Sequence, residues 1–133
     1  MIIVYVLGGL FFGFIALIVT MRVLISARAR KLQGEAAPEL RGRMQTWVSG
    51  GRRALFYFHS PGCGACRTMT PVVERLQKKA KGVFAVDVSL DLDTARRFRV
   101  MATPTTVLID DGIIEQVLIG PQPQAALEGM LSS

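Results

Sequence analysis

The first 21 residues, MIIVYVLGGLFFGFIALIVTM, contain no charged side chain. A helix needs roughly 20 apolar residues to cross the hydrocarbon core of a bilayer. Arg22 interrupts the run, and Val23, Leu24 and Ile25 continue its apolar character. A cleaved signal peptide is the competing reading. It would carry a basic n-region and a shorter apolar stretch, whereas no Lys or Arg precedes this one. Residues 1–27 are therefore expected to form a retained transmembrane anchor, with Arg22 snorkelling to the headgroups.

The anchor accounts for composition that would otherwise mislead. Hydrophobic residues make up 50% of the chain and its formal net charge is +6. All of that net charge belongs to residues 1–53, while residues 54–133 carry basic and acidic side chains in equal number. A neutral domain does not suit nucleic acid, and no nucleic-acid partner is expected. The basic residues Arg22, Arg28, Arg30, Lys31, Arg41 and Arg43 all follow the apolar run. Basic flanks stay cytoplasmic, which predicts a single-pass protein of a bacterial inner membrane with its domain in the cytoplasm; a periplasmic domain is the alternative. Gly9 and Gly13 form a G-x-x-x-G spacing that would let two anchors pack as a homodimer, although glycine is common in membrane helices in any case.

Residues 28–37 read as a basic juxtamembrane connector and 38–133 as one globular domain. Pro38 is suited to open a helix, and Leu40, Met44, Trp47 and Val48 recur at helical spacing until Gly50-Gly51. The apolar run 54–58 reads as a buried strand. Met69, Val72, Val73, Leu76 and Ala80 mark one face of a helix beginning at Cys63. A strand at 83–88, a short helix capped by Asp93, strands at 105–109 and 113–119 and a helix at 122–131 follow. Asp110-Asp111-Gly112 is a hairpin signal between the last two strands. That order predicts an α/β sandwich with a mixed sheet.

Both cysteines lie in Cys63-Gly64-Ala65-Cys66, after a strand and at the opening of a helix. This spacing brings two sulfurs within bonding reach. Unpaired N–H groups at a helix start stabilise a thiolate and lower its pKa, and the thiolate is the attacking species in disulfide exchange. Cys63 is the expected nucleophile and Cys66 the buried resolving thiol. Two other readings carry less. Zinc would need more ligands than one cysteine pair and a single histidine, His59, so no metal is expected. A purely structural disulfide closing so short a loop stabilises little. His59, four residues before Cys63, is a candidate for tuning the thiol pKa; the other reading is a solvated strand-end residue.

These features resemble the thioredoxin family over roughly residues 40–133. The matching elements are Phe56-Tyr57-Phe58, the cysteine motif, Pro71, Val86-Asp87-Val88, Thr103-Pro104 and Gly120. The resemblance implies a cis bond between Thr103 and Pro104, with Gly62, Thr103 and Pro104 binding an extended substrate segment beside Cys63. It also implies a redox-active Cys63–Cys66 disulfide that needs no cofactor. The chain departs from the family pattern as well. Gly62 stands where the family has Trp, and Ala65 where it has Pro. Tyr57 occupies the position of a buried Asp that accepts the resolving thiol's proton, and the lysine that accompanies that Asp falls near Ala85. The family's additional first strand is not evident, so a sheet of four strands is expected, with five in family fashion as the alternative. The chain thus reads as a membrane-tethered protein-disulfide reductase with protein disulfide substrates and an unidentified electron donor. The alternatives are a non-catalytic tethering module, a redox sensor, or a periplasm-facing oxidase or isomerase.

Overall fold

The computed structural model describes residues 1–132; the final residue of the expected domain lies outside them. Helix α1 spans Ile2–Lys31, and α2 spans Gly42–Ser49. Strand β1 (Ala54–His59) leads to α3 (Cys66–Lys79), then β2 (Val83–Asp87) and α4 (Leu92–Arg97). Strands β3 (Thr105–Asp110) and β4 (Ile113–Ile119) and helix α5 (Gln124–Ser132) complete the order. The sheet has four strands in the order β2-β1-β3-β4. β1 runs parallel to β2 and antiparallel to β3, and β3 runs antiparallel to β4. The mixed α/β architecture expected from the element order is the one observed.

Alternation along β1 builds two cores. Phe56 and Phe58 point to one face, where they meet Phe84 and Phe98 together with Val48, Ala95 and Val107. The Phe56 ring lies 5.1 Å from both Phe84 and Phe98. Leu55 and Tyr57 point to the other face, against Met69, Val73 and Leu76 of α3 and Leu127 and Met130 of α5. Burial of a Phe-sized side chain contributes about 1.5–3 kcal/mol, so the aromatic cluster is a principal source of the domain's stability. Close packing also demands a glycine at Gly82, where a Cβ would sit 2.6 Å from the Arg53 carbonyl oxygen and 2.9 Å from Trp47 Nε1. The hairpin turn is Asp111-Gly112, both at positive φ, as a two-residue connection between twisted strands requires.

Four local expectations are corrected. The short α4 is capped by Asp91, whose carboxylate accepts the Thr94 N–H at 3.1 Å, with Asp93 already inside the helix. Pro38 does not open a helix. Residues 38–41 are non-helical, α2 starts at Gly42, and Gln45 reaches back to accept the Leu40 N–H at 2.6 Å. Helix α3 starts at Cys66, because residues 61–65 form turns stabilised by Cys63 N–H to Ser60 O.

The fourth correction concerns residues 28–37. Residues 28–31 continue α1, whose Ala29 and Leu32 join the Phe56 core. Residues 34–37 lie against the free edge of β4. Gly34 N–H donates to Ile114 O (2.7 Å), Ile114 N–H to Glu35 O (2.9 Å) and Ala37 N–H to Gly112 O (2.8 Å). Sheet edges present unpaired backbone groups that favour a partner. The composition of this stretch suggested a basic juxtamembrane connector, and backbone pairing, which does not depend on side-chain type, ties its second half to the sheet.

Candidate active site

The site lies at the pole where β1 and β2 end and β3 begins. The turn after β1 brings Cys63 to the surface just ahead of α3. Cys66 is 3% exposed, whereas Cys63 is half-buried. The two form a disulfide with Cα atoms 5.3 Å apart. Helix α3 has no side-chain cap. One of its unsatisfied N–H groups, that of Cys66, donates instead to Cys63 Sγ at 3.2 Å. The sulfur of Cys63 is thus solvated by the opening turn of a helix, where partial positive charge accumulates.

The other expected residues gather around the pair. The Thr103–Pro104 bond is cis, and Pro104 is buried. Thr103 Oγ1 lies 3.2 Å from Ser60 Oγ, which ties the proline loop to the cysteine turn. Gly62 is exposed in that turn. Gly120, at φ +94°, donates its N–H to Pro104 O at 2.8 Å and closes the far side.

Behind the cysteines is a cleft of about 410 Å³, bordered by His59, Cys63, Cys66, Thr70, Glu74 and Asp87 among others. His59 stacks on the ring of Tyr57 at 5.2 Å and pairs in register with Asp87. The hydroxyl and backbone N–H of Ser89 hold the Asp87 carboxyl below the ordinary carboxylate range, and His59 adds a smaller electrostatic contribution.

Tyr57 has a role at the site that the sequence did not suggest. Its hydroxyl donates to Cys66 O at 3.3 Å and lies 3.0 Å from Thr70 Oγ1. Burial raises its pKa, which the bond to Thr70 partly opposes, so the hydroxyl stays protonated at neutral pH. It holds the backbone of the second cysteine and does not accept a proton from it. A tyrosine facing a helix from an apolar strand needs a partner for its hydroxyl, and that signal alone could have pointed to α3.

Comparison with known proteins follows this geometry. The family model described as thioredoxin matches residues 44–133. The chain is 33% identical over 91 residues to the thioredoxin of Alicyclobacillus acidocaldarius, covering 66% of this chain and 87% of the relative. It is 30% identical over 78 residues to Bacillus subtilis thioredoxin, covering 56% and 75%. Among solved structures, a thioredoxin mutant from Halobacterium salinarum superposes with a TM-score of 0.59 at 28% identity, covering 74% of this chain and 93% of its own. Oxidised mitochondrial thioredoxin 3 of Saccharomyces cerevisiae gives 0.54 at 29% identity, covering 64% and 82%. The chain belongs to the thioredoxin family and is a thioredoxin-like thiol–disulfide oxidoreductase, with Cys63 and Cys66 as its redox pair.

Proposed function

We propose that this chain is a membrane-tethered protein-disulfide reductase. The observation that carries the reading is the asymmetry of the pair: Cys63 is accessible and receives a helix N–H, while Cys66 is buried beneath it. In the reduced protein the Cys63 thiolate attacks one sulfur of a substrate disulfide and expels the other as a thiolate. The Cys66 thiolate then attacks Cys63 Sγ in the mixed disulfide, releases the second substrate thiolate and closes the Cys63–Cys66 bond. Two electrons pass to the substrate, and a separate dithiol donor must return them. Gly62 and the Thr103-Pro104 loop receive the extended substrate segment. No organic or metal cofactor takes part in this exchange.

Proton handling passes to the cleft. Tyr57 is held protonated, so the proton of Cys66 leaves through the space bordered by His59, Glu74 and Asp87. His59 borders that space, and its ring nitrogens offer a place for the proton.

The tether is α1, whose 30 residues include an apolar window of mean hydropathy 2.8. Arg28, Arg30 and Lys31 in its last turn favour a cytoplasmic domain by the positive-inside rule. A reducing compartment would keep the pair as a dithiol. The test is insulin-disulfide reduction by the full-length protein in membranes, with the donor supplied as dithiothreitol. Cys63→Ser is expected to abolish turnover, and Cys66→Ser to accumulate mixed disulfides on Cys63. Full activity of Cys63→Ser would overturn the mechanism. A reporter fused to the C-terminus reads the membrane side, and alkaline phosphatase activity there would reverse the orientation.

A further inference from the structure

The direction of α1 relative to the redox pole follows from its contacts. Residues 34–37 bond to the start of β4, at Gly112 and Ile114. Moving back toward the N-terminus from there, Leu32, Ala29 and Ile25 line one small cavity with Met101, Thr105 and Ile119. Thr105 follows the cis proline and is paired with Ile119, so both belong to the end of the sheet that carries the cysteines. Helix α1 therefore climbs the β4 edge toward that end. Its apolar window then leaves the domain, with none of it buried. Ile25 lies three residues from Arg22, or about 4.5 Å of helix. Beyond Arg22 the run is uncharged to the N-terminus.

This places the cysteine-bearing end next to the bilayer and the opposite end, with Trp47 and Gly82, away from it. The rim of the redox pole suits that position. Leu90, in the loop after β2, is 86% exposed, and Met101, just before the proline loop, is 57% exposed. Large apolar side chains are favoured at a headgroup boundary.

Given the tether and the exchange chemistry proposed above, we infer that the redox pole faces the membrane surface and that its partner is a cysteine pair carried by another membrane protein close to the headgroups. A soluble protein would have to enter between pole and bilayer. A juxtamembrane disulfide is presented at the right height.

The test uses the full-length protein in phosphatidylcholine nanodiscs containing headgroup spin-labelled lipid. In the wild type the single Trp47 reports the far end, and its emission is expected to be unaffected. Met101→Trp adds an emitter on the pole, and most of the added emission is expected to be lost to the spin label. Added emission as insensitive as that of Trp47 would overturn the placement. The second measurement compares insulin with a membrane-spanning peptide bearing a juxtamembrane disulfide. A flexible Gly-Ser segment inserted between Arg22 and Val23 is expected to slow reduction of the peptide and to speed that of insulin, which then no longer has to enter between pole and bilayer. Equal peptide rates with and without the insertion would overturn the partner assignment. Failure to reduce either the peptide or insulin, with and without the insertion, would instead refute the reductase reading, and the quenching result would still decide the placement.

Discussion

Replacing Ala65 with proline tests whether the cysteine turn is already shaped for a stiffer residue. Ala65 has φ −66°, inside the range that a pyrrolidine ring imposes. Its N–H has no acceptor among the described residues, so no hydrogen bond is lost. The preceding residue is Gly64, which has no Cβ to meet the ring, and Ala65 is exposed, so the ring projects into solvent. The remaining effect is on the unfolded chain, whose entropy falls. Such replacements stabilise by about 0.4–1 kcal/mol, and at about 4–8 °C per kcal/mol the expected gain in Tm is roughly 2–8 °C. Thermal unfolding of the full chain in detergent, followed by Trp47 emission with the disulfide intact, measures it. Any fall in Tm would refute the argument, because it would mean that Gly64 cannot take the conformation a following proline demands.

Thr106 is fully buried and its hydroxyl has no partner among the described residues. Thr106→Val should raise stability by about 1 kcal/mol or more, seen as a higher urea midpoint at unchanged m. Tyr57→Phe should cost about 1 kcal/mol through its lost hydroxyl contacts and should slow the release of mixed disulfides if the Cys66 backbone loosens. The raised pKa of Tyr57 makes the wild type lose stability as pH climbs above the unfolded value near 10. The Tyr57→Phe curve should lack that alkaline loss, as pH-dependent urea titrations would reveal. Asp91→Ala removes the cap of α4 and should cost about 1 kcal/mol, read from the same denaturation curves.

Most of the fold was legible because apolar alternation and helical spacing act locally. The run Ala54-Leu55-Phe56-Tyr57-Phe58 could be placed as a buried strand, and Asp111-Gly112 could be placed as a turn. The position of the cysteines before a helix was equally readable, and with it the chemistry. What was not readable depends on long-range contact. Residues 34–37 carry no strand pattern, yet they cover β4 through main-chain bonds that any sequence offers. Asp91 and Asp93 are both competent caps, and only the path of the loop after β2 decides between them. The hydroxyl of Tyr57 reaches Thr70 across the gap between sheet and helix, a distance no linear spacing encodes.

The docking of α1 also imposes an order of events during synthesis. Helix α1 is made before the strands of the domain, yet the groups that hold its end, Gly112, Ile114 and Val117, are made after the other three strands. Until β4 exists, Leu32 lacks the Val117 and Ile119 side of its packing and the Gly34 N–H lacks its acceptor, Ile114 O. Pairing of the β4 edge is the step that fixes the heading of α1 on the domain, so the cysteines gain a defined orientation relative to α1 only after β4 has been made.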